Sequence, residues 1–289
     1  MRRAALALLA VCLLFVGCES GGPSGGASTA SGSPSAPGAT VPPDPRELAG
    51  ELGAVTADLD RSIDAWRASG GSATWPPPEP LVLLALRQQR IYGTLTRDPG
   101  LLKEVLRRLP SDLRAEARAN ATAGAELLSL IGTPSRHAPH LQTRAPLPAD
   151  VLLGYYREAE RRFGVAWQVL AAVNFIESKF GRVVSASSAG AQGPMQFIPP
   201  TWKAYGLGGD VHDPHDAVLG AANYLHASGA PRDYPGALYH YNPARAYVRA
   251  VMLYARQMMR DARNFYAYYN WQVFVLTRSG LVQLSGPGA

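Results

Sequence analysis

The chemistry of this chain gathers around one acid. Glu177 shares a helical stripe with Leu170, Val173 and Phe180, three or four residues apart, close to where Gly181 is expected to close the helix. Desolvation disfavours a carboxylate, and a helix C-terminus repels it, so both features predict a raised pKa. A carboxyl group still protonated near neutral pH can give its proton to a leaving oxygen. The plain alternative is a boundary residue whose carboxylate reaches water. A second set, Asp210, Asp213 and Asp216 with His212 and His215, invites a metal reading. Its spacing does not fit a calcium loop, and the two histidines lack the third ligand of a zinc site. Asp213-Pro214 followed by Asp216 reads instead as a helix start: cap, proline at the first position, acid in the first turn. No metal and no cofactor is expected.

These residues need elements to hold them. The periodicity predicts a helix from Val165 to Phe180 after Gly164, and another from Pro214 to about Ser228 with Ala217, Leu219, Ala221 and Leu225 inside. Between them lies Ser185–Pro199, small-residue and Gly-rich, then tightly punctuated. Such a loop lets backbone approach a ligand closely. It follows no strand and ends on no lysine, so it is not a phosphate loop. Further upstream, Leu48, Leu52, Val55, Leu59, Ile63 and Trp66 form one helical stripe, broken by Trp75-Pro76-Pro77-Pro78. Helical runs follow over Leu81–Tyr92, from Asp98-Pro99 through Leu109, and over Ser111–Ile131. No catalytic constellation is visible there. Ala138–Ala149 is proline-rich and reads as a linker. Beyond it the composition changes: all thirteen tyrosines except Tyr92 lie past Asp150. The tail is aromatic from Phe265 to Trp271, then strand-like, with Ser279-Gly280 turning Val273–Thr277 into Leu281–Leu284 as a hairpin. Its aromatics could form a binding platform, but core packing is the simpler expectation.

Three motifs in order give a family resemblance. Glu177-Ser178, then Ser187-x-Ala189-Gly190-Ala191-x-Gly193-Pro194-Met195-Gln196, then Tyr241-Asn242 with Tyr247-Val248 downstream, resemble lytic transglycosylases of lysozyme-like fold. Pro194 stands where many members have leucine. The resemblance covers Asp150 to about Ala262. It implies that Glu177 is the single catalytic acid, cleaving between N-acetylmuramic acid and N-acetylglucosamine, with the C6 hydroxyl closing a 1,6-anhydro ring. It implies that Ser187, Met195, Gln196, Tyr241 and Asn242 line or brace the sugar cleft. The alternatives are a turn residue for Ser187, a core tyrosine for Tyr241 and simple core for Met195. No acid in Ser185–Gln196 offers the second carboxylate of an ordinary glycosidase. A hydrolytic muramidase on the same fold, or a weakly active glycan-binding protein, are the alternatives.

The start of the chain sets the expected compartment. Arg2 and Arg3 precede an apolar run, Ala4–Val16, too short to span a bilayer. Phe15-Val16-Gly17-Cys18 resembles a bacterial lipobox, which would discard Cys12 and leave Cys18 as a lipidated first residue. An ordinary secreted protein with a free Cys18 thiol is the alternative. The expected order is therefore a signal peptide (1–17), a Gly/Ser/Pro-rich tether (18–43), a helical module (44–146), a catalytic domain (147–263) and an aromatic and hairpin tail (264–289). Such a chain is mainly α, with a lysozyme-like helical domain, a helical N-terminal module and a short C-terminal β-hairpin. It would be extracytoplasmic and membrane-anchored, acting on peptidoglycan glycan strands. The 289 residues carry a formal charge of +6, with 28 Lys and Arg against 22 Asp and Glu. Basic residues are interleaved with acids at helical spacing, which marks solvated faces rather than a nucleic-acid surface. Two cysteines exclude a disulfide scaffold.

Overall fold

The computed structural model describes residues 40–134, 136–139, 141–278 and 280–289. The signal segment, Cys18 and all but the last residues of the tether lie outside the described residues. Among the described residues no helix is long and apolar enough to cross a membrane.

Eleven α-helices and one hairpin make up the described fold. Helix α1, Pro45–Ala68, starts on Asp44, whose carboxylate accepts from the Arg46 and Glu47 amides at 2.9 and 3.0 Å. Its buried stripe runs Leu48, Leu52, Thr56, Leu59, Ile63 and Trp66. Val55 drifts to the half-buried edge, and Thr56 takes its place because its hydroxyl meets the Gln88 amide at 3.2 Å. Helix α2, Glu79–Arg97, is the most enclosed helix of this half. Its buried polar residues are paired rather than wasted: Gln89 exchanges two hydrogen bonds with the Gln272 backbone, at 2.9 and 2.8 Å. Helices α3, Pro99–Leu106, and α4, Ser111–Leu128, complete the N-terminal set.

Residues 138–149 connect the halves, but not as a free linker. Val184 donates to the Gln142 carbonyl at 3.0 Å, Arg144 donates to the Arg182 carbonyl at 2.8 Å, and Thr143 faces Val183 in an antiparallel bridge. Then come α5, Ala149–Phe163, closed by Gly164 in the left-handed region, and α6, Trp167–Ser178. The expected helix end at Gly181 is corrected here. Lys179 (φ 53°) and Phe180 (φ 61°) already leave the helix, although neither is glycine. The cause is tertiary: the Ser178 hydroxyl accepts the Gly181 amide at 2.9 Å and binds a loop beyond it. Nor is α6 one-sided, since every residue from Val169 to Ser178 is buried.

Helices α7, Pro199–Tyr205, α8, Pro214–Ala227, α9, Tyr234–Tyr241, and α10, Arg245–Arg260, follow. Asp213 caps α8 by accepting from the His215 and Asp216 amides, with Pro214 first in the helix. The aromatic run of the tail is α11, Arg263–Asn270, and then β1, Phe274–Thr277, pairs antiparallel with β2, Gly280–Gln283. The aromatics of α11 build core and no sugar platform: Phe265, Tyr266, Tyr268 and Tyr269 are all buried. Phe175 of α6 stacks on Tyr268 at 5.3 Å, with Tyr254 edge-on at 4.9 Å. Helix α11 touches α1 and α2 as well as α6 and α10, and α10 lies along α4. One apolar core therefore runs without a break from Leu48 to Phe274.

Candidate active site

The site begins where α6 ends. Glu177 and Ser178 are its last two residues, both buried. The Tyr247 hydroxyl, on the buried face of α10, donates to Glu177 Oε1 at 2.7 Å. Burial pushes the Glu177 carboxyl up to about 8, and the tyrosine bond opposes that rise only in part. No charged group contributes to this shift. Glu177 is thus a lone acid, protonated at neutral pH, beside a hydroxyl that can favour its charged form.

A loop is fastened against this end of α6. Ser178 Oγ donates to the Pro194 carbonyl at 2.6 Å, and Asn174 Nδ2 donates to the same oxygen at 2.7 Å. Tyr156 fixes Asn174 in turn, donating to its Oδ1 at 2.6 Å. The loop turns tightly from Gly193 to Gln196, with Gln192 and Phe197 exchanging backbone hydrogen bonds at 2.9 Å each. Only glycine fits at Gly193: its φ is +71°, and a Cβ there would lie 1.8 Å from the Val211 carbonyl oxygen. Tyr241, at the end of α9, donates to the Met195 carbonyl at 2.6 Å. Half-buried, it lies near enough to Glu177 that the carboxylate's charge raises the phenol's pKa, after desolvation itself.

The structure brings Glu177, Met195 and Tyr241 together. Met195 is fully buried, its backbone held between α6 and α9. Gln196 sits at φ +51° with Nε2 on the Gly193 carbonyl at 3.0 Å, while its buried Oε1 has no partner. Asn242 is buried at the end of α9, where its carbonyl accepts the Ala244 amide at 2.8 Å. Ser187 spends its hydroxyl on its own turn, accepting the Ala191 amide at 3.0 Å and the Ala189 amide at 3.3 Å. Tyr247 is the residue that sequence reasoning missed as a partner of the acid. It was visible only as part of the motif after Tyr241-Asn242. Asp213, His215 and Asp216 lie within 4.8 Å of one another. Each has a local task, since Asp213 caps α8 and His215 Nε2 meets Glu158 at 3.0 Å.

Comparison with known proteins adds one match. Residues 154–260 match the Transglycosylase SLT domain family. Searches of curated proteins and of solved structures find no match. The matched segment runs from within α5 to the end of α10 and contains the whole Glu177 site. The match suggests a lysozyme-like, lytic-transglycosylase-related fold for residues 154–260, and the mainly helical architecture of the described chain, with its helical N-terminal region and C-terminal hairpin, is consistent with a lysozyme-like SLT fold.

Proposed function

We propose that the protein is an extracytoplasmic lytic transglycosylase that cleaves the β-1,4 bond between N-acetylmuramic acid and N-acetylglucosamine in peptidoglycan. The observation that carries this reading is Glu177: one buried acid, held near pKa 8 without any charged neighbour, on the segment that matches the SLT family. In the first step protonated Glu177 gives its proton to the glycosidic oxygen, and the bond from muramic C1 to that oxygen breaks. The muramic N-acetyl group shares the positive charge at C1, the part a second carboxylate plays in most glycosidases. In the second step the C6 hydroxyl attacks C1. The ionised Glu177 takes its proton, and Tyr247 steadies the carboxylate between the two. The acid ends as it began, and the product carries a 1,6-anhydro ring. Met195, Gln196, Tyr241 and Asn242 are the proposed wall of the sugar site. Ser187 shapes the loop by closing its turn. Lipidation at Cys18 is the proposed membrane anchor.

The test is digestion of purified cell wall followed by mass spectrometry. Anhydro ends are lighter than reducing ends by one water. Reducing ends alone would replace this reading with a muramidase. Binding to the wall without any release would leave a glycan-binding protein.

A further inference from the structure

A cavity of about 850 Å³ lies between the Trp75–Pro78 bend, residues 143–146, and the segment after α11. None of Glu177, Met195, Tyr241 or Tyr247 lines it. Its volume is that of a small-ligand site, roughly 300–1,000 Å³. Its lining is apolar at Trp75 and the prolines after it, and it also carries Arg144 and Arg182.

Arg182 is the unusual member. Its side chain is buried, with one hydrogen bond to the Lys179 carbonyl at 3.3 Å and the Tyr269 ring 5.2 Å away. No carboxylate acts on it, and burial lowers its pKa to about 10. A buried guanidinium is ordinarily matched by an anion. Arg144, more exposed, gives only its Nε to the Gly181 carbonyl, at 3.3 Å. Asn270 adds a second orphan: its Nδ2 donates to the Tyr266 carbonyl at 2.8 Å, but its fully buried Oδ1 has no partner. Gln272 makes no such demand, since both ends of its amide are bonded. The one acid on the wall, Glu79, is exposed at the rim.

The missing partner must bring a planar anion, an N–H or O–H donor near it, and apolar groups. We propose that this cavity binds the C-terminal end of a short peptide. Its α-carboxylate sits on Arg182 and Arg144, its last amide N–H points to Asn270 Oδ1, and its side chains lie against Trp75 and Pro76–Pro78. Glu79 at the rim disfavours a second acid on the ligand.

Calorimetric titration of the full chain with N-acetyl-Ala-Ala, in all-L and all-D forms, tests this. The same peptides capped as C-terminal amides are the control. The free acid binds saturably, and capping weakens it about tenfold or more, as loss of a charge-assisted hydrogen bond requires. Arg144→Glu, a change at an exposed side chain, weakens binding by a similar factor, Arg182→Gln removes it, and Glu79→Gln tightens it. If Arg182→Gln does not fold, Arg144→Glu and the capped peptides still decide. Binding of the D form alone points to wall peptides as the source, and of the L form alone to a protein tail. Equal binding of acid and amide, or no binding of either acid, overturns the proposal.

Discussion

Among the described residues two glutamates, Glu177 buried and Glu116 half-buried, each receive a hydrogen bond from a tyrosine. Tyr92 of α2 donates to Glu116 of α4 at 2.9 Å, and Tyr247 of α10 donates to Glu177 of α6 at 2.7 Å. Burial raises both carboxyls, and in both the tyrosine works against the rise. The surroundings then diverge. Glu116 lies among charges, with Asp60 and Asp261 pushing its pKa up and Arg260 pulling it down. Glu177 has none. Glu116 faces helices, whereas Glu177 ends a helix against a pinned loop whose Gln196 keeps an orphan oxygen. A buried acid with a tyrosine is therefore no sign of catalysis by itself. The absence of balancing charge and the neighbouring irregular backbone are what set Glu177 apart.

The sharpest break between the two is functional. Glu177→Gln is expected to cut anhydro-muropeptide release by at least about 10²-fold, the usual worth of a general acid–base group. Glu116→Gln is expected to leave the rate near that of the parent. Equal losses in the two variants would erase the distinction. Stability against pH comes next. Glu177 is raised from 4.5 to about 8 on folding, so the folded state holds a proton that the unfolded chain has released across that window. Stability then falls as pH rises from 4.5 towards 8, and the loss is complete above the folded value. Thermal unfolding across this range should show the slope flattened most by Glu177→Gln and less by Glu116→Gln.

A smaller effect separates the tyrosines. In the proposed mechanism cleavage needs protonated Glu177, so the rate should decline as pH passes about 8. Tyr247→Phe removes a bond that favours the carboxylate, so this limb moves to higher pH; Tyr92→Phe leaves it in place. Rate profiles over pH with a soluble glycan substrate check both. Smallest is Ser187→Ala, which takes an acceptor from two loop amides and is expected to cost about 0.5–1.5 kcal/mol in denaturant unfolding. A large loss of glycan binding without a change in stability would support Ser187 as a direct sugar contact.

Local signals were legible in the sequence. The start of α8 followed from Asp213, Pro214 and Asp216 alone, because caps act within one turn. The hairpin and the N-terminal helices were equally readable from turn residues and periodicity. The end of α6 was not. Gly181 looks like the stop, yet the chain leaves the helix at Lys179 because Ser178 is tied to Pro194, sixteen residues away. Tyr247 was hidden for the same reason. Nothing local distinguishes it from twelve other tyrosines, and its bond to Glu177 spans 70 residues of chain. The aromatic run of α11 showed apolar content but not its destination, since its neighbours come from both halves.

That sharing bears on how the domain can travel between proteins. Helix α10 offers Tyr247 to Glu177 while packing along α4, with Arg249 clasping Glu126 through two hydrogen bonds. The segment that matches the family is consequently not an excisable cassette. A graft of residues 154–260 onto another carrier would arrive with the sides of α6 and α10 stripped of α4 and α11, and with Phe175 and Tyr254 open to water. The preceding helices and α11 together form the other half of a mould, so the matched segment keeps its shape only in their company.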